Sequence, residues 1–388
     1  MTQSGNMVFT GGGWVIDHAA KNHKRSKIID AHYHIFPRLS SQRQGIAPEL
    51  RLKFWQFHSR EYNNFWRKDD GTHVVEPFLQ FNSNDLDDMP QVDFRLTDYG
   101  QAEITVDGVD YIMQLFPPNL VNNEAPPQRM VAEMNLAEVD VGILQSDHAY
   151  GDLNEYFGQA MKDYPGRFVG LAQIWEPEAD DPKRLQGLER GIREHGNKGL
   201  YFSVEPFSLS QQDTTLNDPQ LDPLWSLVEK LEIPIFWYLD DRTIDRVAMF
   251  MRRIAELDEW ARRHPGIPSL ITHGLVPAAI IHEIGLPEEV VALLDHPHVF
   301  AEILFPAKSP DYPYPTGQRQ LEHLRDRVGA EKLLWGSDSP VGMTMWCTYR
   351  QSLDFIRLHC DFLSQDEKDL ILGGNAAGLF GIEPFHTK

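Results

Sequence analysis

Short apolar segments recur along the chain, and helical spacing of apolar residues separates most of them. Eight of these segments are predicted β-strands: 27–34, 141–146, 167–174, 198–204, 233–239, 269–274, 299–305 and 333–338. Several lack strict polar alternation, which is typical of parallel strands covered on both faces. Helices are predicted over 223–231 and 242–264, on either side of the fifth strand. The pattern predicts an α/β fold, a (β/α)8 TIM barrel.

One connection is much longer than the others. Roughly a hundred residues separate the first two predicted strands, whereas a βα loop usually has about two to six. We therefore predict a large insertion over 38–128, with a β-hairpin over 94–114 that turns at Asp107 and Gly108. Because it leaves the first strand at the catalytic end of a barrel, we expect a lid or an oligomerisation segment. Residues 1–26 are a predicted N-terminal arm before the barrel, 27–388.

Composition restricts the partners. The 388 residues carry a net charge of -21, and such a surface repels a phosphate backbone, so we expect no nucleic-acid partner. No apolar run is long enough to span a membrane, and the N-terminus lacks a signal-peptide core. Cys347 and Cys360 have no metal-site or disulfide spacing, which fits a reducing compartment. We expect a cytoplasmic protein that acts on a small-molecule substrate.

Polar side chains that suit catalysis stand at the ends of three predicted strands. His32 and His34 lie two apart on the first strand, so their side chains point to the same face. Two imidazoles in a barrel interior can bind one metal ion, although a hydrogen-bonded pair of core histidines is the alternative. His273 and Asp338 end the sixth and eighth strands. These four residues are the candidate active site.

Four fragments resemble a known group of enzymes. They are IIDAHYHIF (28–36), ITHG (271–274), LLWGSDSP (333–340) and GGNAAGLFGI (373–382). They are similar to the second group of the amidohydrolase superfamily, which includes aminocarboxymuconate-semialdehyde decarboxylase, related aromatic-acid decarboxylases, and the pyrone-dicarboxylate and sugar lactonases. The resemblance implies an enzyme on a TIM barrel that forms a homodimer or higher homo-oligomer. It does not extend to the insertion or to the N-terminal arm.

The resemblance also implies roles for the candidate residues. His32, His34 and Asp338 would bind a divalent metal, Zn or Mn, or the two histidines would contact substrate directly. Asp338 and His273 would be the catalytic acid and base groups. The alternatives are a core or helix-capping histidine for His273 and a helix N-cap for Asp338.

The fifth strand departs from the family pattern. Metal-dependent members end this strand with a histidine ligand, whereas this chain has Tyr238. A neutral tyrosine is a poor ligand but a good hydrogen-bond donor to a substrate. The site is therefore expected to bind a metal more weakly or to be metal-independent, unless Glu205, Asp240 or Asp241 replaces the ligand. The lactonases tolerate a different residue here, so Tyr238 favours hydrolysis.

These observations lead to two enzymatic hypotheses. The first is a hydrolase of a small lactone, ester or amide, ring-containing or carboxylated, that uses water activated by Asp338 and the histidines. The second is a metal-dependent non-oxidative decarboxylase of an aromatic or unsaturated carboxylic acid, as in aromatic compound catabolism. A non-catalytic binding barrel is a third possibility. Further substrate-binding residues are predicted at the strand ends: Tyr238, His148, Tyr150, Arg242 and Glu302. Aromatic residues over 54–66 either line the pocket or form the core of the insertion.

Overall fold

The computed structural model describes residues 7–10, 13–16, 26–41, 47–83, 85–241, 245–273, 275, 285–304, 311–343 and 347–384. In chain order, its strands are β1 (Met7–Thr10), β2 (Gly13–Ile16), β3 (Ile29–Tyr33), β4 (Asn64–Arg67), β5 (His73–Val75), β6 (Arg95–Leu96), β7 (Gln101–Val106), β8 (Val109–Gln114), β9 (Val141–Leu144), β10 (Phe168–Ala172), β11 (Gly199–Ser203), β12 (Ile235–Tyr238), β13 (Ser269–Ile271), β14 (Val299–Leu304) and β15 (Leu333–Gly336). Its helices are α1 (Pro48–His58), α2 (Pro127–Ala137), α3 (Asn154–Asp163), α4 (Pro182–Arg193), α5 (Glu205–Leu209), α6 (Asp222–Leu231), α7 (Arg246–Arg263), α8 (Glu288–Leu294), α9 (Pro315–Val328), α10 (Tyr349–His359), α11 (Gln365–Asp369) and α12 (Asn375–Phe380).

The eight predicted strands form one parallel sheet. The order is β15-β14-β13-β12-β11-β10-β9-β3, and each strand pairs with its neighbours in parallel. Helices connect the strands, so the predicted TIM barrel is confirmed. The two helices predicted beside the fifth strand correspond to α6 and α7, with slightly different bounds.

Backbone hydrogen bonds join the first barrel strand to the segment that follows the last one. The N–H of Asp338 donates to the carbonyl of His32, and the N–H of His34 donates to the carbonyl of Ser339, both at 2.9 Å. Tyr33 and Ser339 form a parallel bridge at the same place. The contact closes the barrel and brings together residues from the two ends of the sequence.

The C-terminal motif GGNAAGLFGI packs across the opposite end of the barrel. A Cβ on Gly373 would lie 2.1 Å from the carbonyl oxygen of Lys27, so only glycine allows this approach. The Asn375 amide donates at 2.8 Å to the carbonyls of Ala330 and Leu333, at the start of β15. The motif therefore has a structural role at the end remote from the candidate site.

The insertion contains α1 and a second sheet, with strand order β5-β4-β8-β7-β6. Its entry and exit are joined by reciprocal backbone hydrogen bonds between Phe36 and Ala125, at 3.0 and 2.9 Å. The predicted hairpin is confirmed as β7 and β8, with positive φ at Asp107 and Gly108, as a type I′ turn requires. Its buried residues share one hydrophobic cluster with the barrel helices. A role as a lid or in oligomerisation stays a prediction.

None of the helices in the described part of the chain combines the length and apolar character needed to cross a bilayer.

Three tryptophans pack the fifth barrel strand against its flanking helices. Trp237 of β12 lies with its ring centroid 5.5 Å from that of Trp225 on α6 and 4.8 Å from that of Trp260 on α7. All three side chains are almost fully buried. This layer supports the strand that ends at Tyr238.

We expect Trp237→Ala to lower the free energy of unfolding by about 3–5 kcal/mol, because it leaves a cavity between the strand and two helices. Trp66→Ala on the insertion is the control, since this side chain is 40% exposed and its loss should cost clearly less than that of a fully buried tryptophan. Urea unfolding of both variants checks this. Equal losses would contradict the packing described here.

Candidate active site

His32, His34 and Asp338 converge at the carboxyl end of the barrel strands. His32 Nε2 lies 3.0 Å from His34 Nε2, and His34 Nε2 lies 2.9 Å from Asp338 Oδ1. The third separation, from His32 Nε2 to Asp338 Oδ1, is 3.7 Å. We call these three residues the triad. Among the described residues, the triad is the only group of His, Cys, Asp or Glu side chains placed to hold a metal ion.

The other ring nitrogen of each histidine faces an acceptor. His32 Nδ1 lies 2.9 Å from a Glu302 oxygen, and His34 Nδ1 lies 2.9 Å from the carbonyl oxygen of Gln145. Both Nδ1 atoms must therefore carry hydrogen, since neither acceptor can donate when Glu302 is ionised. In the neutral rings, both Nε2 atoms then present lone pairs to the same point. Two lone pairs and a carboxylate oxygen at this spacing require a cation or a proton between them.

A divalent metal fits this donor set. Donor atoms about 2.0–2.1 Å from a tetrahedral zinc lie about 3.3 Å from one another. The three separations in the triad, 2.9, 3.0 and 3.7 Å, bracket that value. Two imidazoles and one carboxylate also match the three protein ligands of many catalytic zinc sites. Carboxylate and carbonyl partners on the distal ring nitrogens are the usual support for such ligands.

A proton on His32 is the alternative occupant. Burial lowers the pKa of this imidazole, but the adjacent Glu302 carboxylate, with smaller contributions from Asp338 and Asp30, raises it to about 9. The same charges that would attract a metal ion hold the proton there. The site therefore favours a positive charge between the triad side chains.

Glu302 connects three strand ends behind the triad. It is 1% exposed, and besides His32 it accepts hydrogen bonds from the Thr272 hydroxyl and, at 2.8 Å, from the N–H of His273. The Thr272 hydroxyl oxygen also lies 2.7 Å from the side-chain oxygen of Gln145. This enclosed position suits a residue that orients His32 and His273. The predicted contact between Glu302 and substrate has no test here and stays a prediction.

His273 and Asp338 both have left-handed backbone conformations, with φ of 62° and 56°. Such conformations are uncommon for residues other than glycine and occur often at active sites. Each residue comes two positions after a barrel strand. The His273 ring lies 4.5 Å from the His32 ring and 4.4 Å from the Tyr238 ring, between centroids. His273 therefore adjoins the triad, and Tyr238 adjoins His273.

Asp30 links β3 to the segment after β15 beneath the triad. Its carboxylate accepts hydrogen bonds from the Ser337 backbone and hydroxyl, at 2.9 and 2.5 Å, and from the Tyr349 hydroxyl at 2.8 Å. Complete burial raises the pKa of Asp30 to about 7, although these hydrogen bonds lower it. Since Asp30 lies two residues before His32 and Ser337 lies one residue before Asp338, this contact aligns the two backbones that carry His32 and Asp338.

The remaining predicted residues have separate positions. Tyr150 is 4% exposed, and its ring stacks on His34 with centroids 5.4 Å apart. His148 is paired with Glu176 at 2.6 Å. Burial lowers the pKa of His148, but the Glu176 carboxylate outweighs this effect and raises it. Arg242 lies outside the described residues, so its predicted contact with substrate stays a prediction.

Several supporting residues were not predicted from the sequence. Gln145 and Thr272 orient the triad histidines, and Glu176 holds His148. Each lies at or just after a predicted strand end, which is the signal that could have found them. His58, on the insertion, bonds to Glu205, and nothing in the sequence indicates this contact.

Comparison with known proteins identifies the family of this chain. The model of the amidohydrolase-2 family, described as Amidohydrolase, matches residues 29–382. The chain belongs to the amidohydrolase-2 family. Among curated proteins, no sequence matches this chain.

Solved structures with the same fold are distant in sequence. A putative 2-pyrone-4,6-dicarboxylic acid hydrolase from Pseudomonas putida is 17% identical, with 92% of this chain and 99% of the other covered and a TM-score of 0.52. A probable enzyme of the same kind from Acinetobacter baumannii is 18% identical, with 67% and 90% covered and a TM-score of 0.51. A 4-oxalomesaconate hydratase from Rhodopseudomonas palustris is 18% identical, with 66% and 80% covered and a TM-score of 0.51. At these identities the comparison shows the shared amidohydrolase barrel alone.

We expect Glu302→Gln to weaken zinc binding by about 10–100-fold, because it removes the charged partner of a ligand histidine. Glu176→Gln is the matched control, since Glu176 is an equally buried carboxylate paired with a histidine outside the triad. Calorimetric titration of metal-free protein with zinc measures both affinities. Equal effects of the two substitutions would argue against the triad as the zinc site.

Proposed function

We propose that this member of the amidohydrolase-2 family hydrolyses a small lactone, ester or amide. The position of Tyr238 carries the choice of reaction. It ends β12, it is 3% exposed, and its ring adjoins His273. A phenol there can donate a hydrogen bond to a carbonyl oxygen, whereas it adds little to metal binding. This chemistry suits the addition of water to a carbonyl.

The triad and its neighbours would divide the steps of hydrolysis between them. The Asp338 carboxylate, which lies 2.9 Å from His34 Nε2, accepts a proton from the attacking water. His273 and Tyr238 donate hydrogen bonds to the carbonyl oxygen as negative charge develops on it. Asp338 then returns the proton to the leaving oxygen or nitrogen. A divalent metal held by His32, His34 and Asp338 would supply further polarisation of the carbonyl and a more acidic water.

Metal-dependent decarboxylation of an aromatic or unsaturated acid is the second candidate. The observation in its favour is the triad, whose donor atoms are 2.9, 3.0 and 3.7 Å apart. In that reaction the substrate carboxylate would lie at the triad while Asp338 or His273 protonates the carbon that loses it. A shared barrel does not choose between the two reactions.

Asp338→Asn should reduce hydrolysis of a panel of simple lactones and aryl esters by about 100-fold or more, since it removes the general base. Asp361→Asn, at an exposed position, should have no effect. Proton release measured with a pH indicator follows the reaction. Undiminished turnover in Asp338→Asn would contradict the mechanism.

Removal of bound metal distinguishes the two candidate functions. We expect most of the hydrolytic turnover to survive dialysis against a chelator, because Asp338, His273 and Tyr238 do not need a metal for the steps assigned to them. Release of carbon dioxide from an aromatic acid, lost on chelation and restored by zinc or manganese, would instead establish the decarboxylase.

Tyr238→His should strengthen zinc binding by about tenfold or more, because it adds an imidazole donor beside the triad. It should also slow hydrolysis through the loss of the phenol. Tyr201→His is the control, since Tyr201 lies on the neighbouring strand with its ring 6.5 Å from that of Tyr238. Zinc titration and the lactone assay give the two readouts. Unchanged zinc affinity would show that position 238 lies out of reach of the metal.

A further inference from the structure

A cleft of about 580 Å³ lies between the insertion and the barrel. One wall is the insertion around Asp85, a second is the segment 208–213 at the end of α5 and after it, and the third is α7. The Gln211 amide joins the first two walls by donating to Asp85 at 2.7 Å. The triad residues are not among the described residues that line this cleft. It is therefore a second concave site, separate from the candidate active site.

Three residues of α7 line the cleft at helical spacing: Asp245 at the N-cap, Met249 and Arg253. Residues four apart lie on the same face of a helix. At about 1.5 Å of rise per residue, the first and the last of the three backbones lie about 12 Å apart along the helix axis. The cleft thus presents a carboxylate, a flexible apolar side chain and a guanidinium in one row.

Arg253 offers unused hydrogen-bond donors to this cleft. Among the described residues that line it, Arg253 is the only buried one, with 1% exposure. Its hydrogen bonds come from Nη1, which donates to the Thr214 carbonyl at 2.8 Å and to Glu256 at 2.7 Å. Nε is buried without a hydrogen-bond partner in the described part of the chain, and Nη2 donates to none of its residues.

The Nε and Nη2 groups form one edge of the guanidinium, and such an edge can bind both oxygens of a carboxylate. A buried charged donor without a partner is costly to the folded state. The contacts of Nη1 with Thr214 and Glu256 do not use this edge, so a structural role for Arg253 leaves it unexplained. We therefore expect an acceptor to reach it from the cleft.

Asp245 offers the opposite charge at the other end of the row. It is exposed, and within the described ranges its carboxylate accepts no hydrogen bond, including none from the helix that it precedes. The other carboxylates that line the cleft, Asp85, Asp88 and Asp213, each have a partner in the protein. Four carboxylates together repel a ligand that carries only negative charge. Asp245 is therefore placed to pair with a ligand cation.

We infer that the cleft binds a small molecule with a carboxylate and a primary ammonium at opposite ends of an extended chain. The carboxylate contacts Nε and Nη2 of Arg253, the chain lies on Met249, and the ammonium contacts Asp245. An α-amino acid without a charged side chain is too short for both contacts, because its two charges share one carbon. The inference does not rest on the proposed hydrolase function, since no triad residue takes part.

Calorimetric titration of the full chain with 6-aminohexanoate, hexanoate and hexylamine tests the site. Only 6-aminohexanoate carries both charges, so we expect it to bind at least tenfold more tightly than either of the others. Glycine should bind at least tenfold more weakly than 6-aminohexanoate. Triglycine distinguishes two sources of the same chemistry: tighter binding than 6-aminohexanoate identifies a short peptide, and weaker binding identifies a free amino acid with a long chain. Both results support the inference.

Asp245→Asn should lower the affinity for 6-aminohexanoate at least tenfold, to that of hexanoate, and leave hexanoate binding unchanged. Asp361→Asn is the matched control, an exposed aspartate that does not line the cleft. Arg253→Lys keeps the charge but not the two-donor edge, so it should weaken both carboxylates and leave hexylamine unchanged. Thermal unfolding of each variant separates binding from folding. Asp245→Asn keeps the test decisive if Arg253→Lys fails to fold, because the Asp245 side chain caps no backbone N–H.

Equal affinities for the three probes, or binding of none, would leave water as the occupant of the cleft and overturn the inference. So would a preference for 6-aminohexanoate that persists in Asp245→Asn. Binding that Asp338→Asn weakens and Asp245→Asn does not would place the ligand at the triad, which would also overturn it.

Discussion

The contact between the first barrel strand and the segment after the last one is the constraint on which the candidate site depends. His32 and Asp338 lie near opposite ends of the sequence, and a backbone hydrogen bond of 2.9 Å between them fixes their separation. Asp30 bonds to Ser337 one layer below and strengthens the same junction. If this closure opened, the imidazoles and the carboxylate would no longer share a point, whatever their individual conformations.

The same closure buries charged side chains in the candidate site. His32 is fully buried between Glu302 and Asp338, so its environment demands a positive charge, which either a proton or a metal ion provides. The surrounding polar groups, Thr272 and Gln145, leave the imidazoles one orientation. Preorganisation of this kind lets a few side chains serve a reaction whose charge changes as bonds form.

The barrel and the triad could be predicted from the sequence because they rest on local signals. Buried parallel strands are recognisable in the sequence as apolar runs, and the carboxyl ends of the strands meet at one end of a closed barrel. The proximity of His32, His34 and Asp338 could therefore be predicted from the sequence. The bond between His58 and Glu205 could not be predicted, because the path of an insertion over the barrel depends on packing such as that of Trp55 against Tyr150. The reaction could not be predicted either, because Tyr238 changes a single hydrogen-bond donor on a barrel fold that supports several reactions.

Diffraction from crystals soaked in zinc, with anomalous data collected at the zinc absorption edge, tests the central claim most directly. The account predicts one strong peak bounded by His32 Nε2, His34 Nε2 and a carboxylate oxygen of Asp338, at about 2.0–2.2 Å from each. A peak elsewhere in the barrel, or two early imidazoles turned away from the late carboxylate, would contradict it.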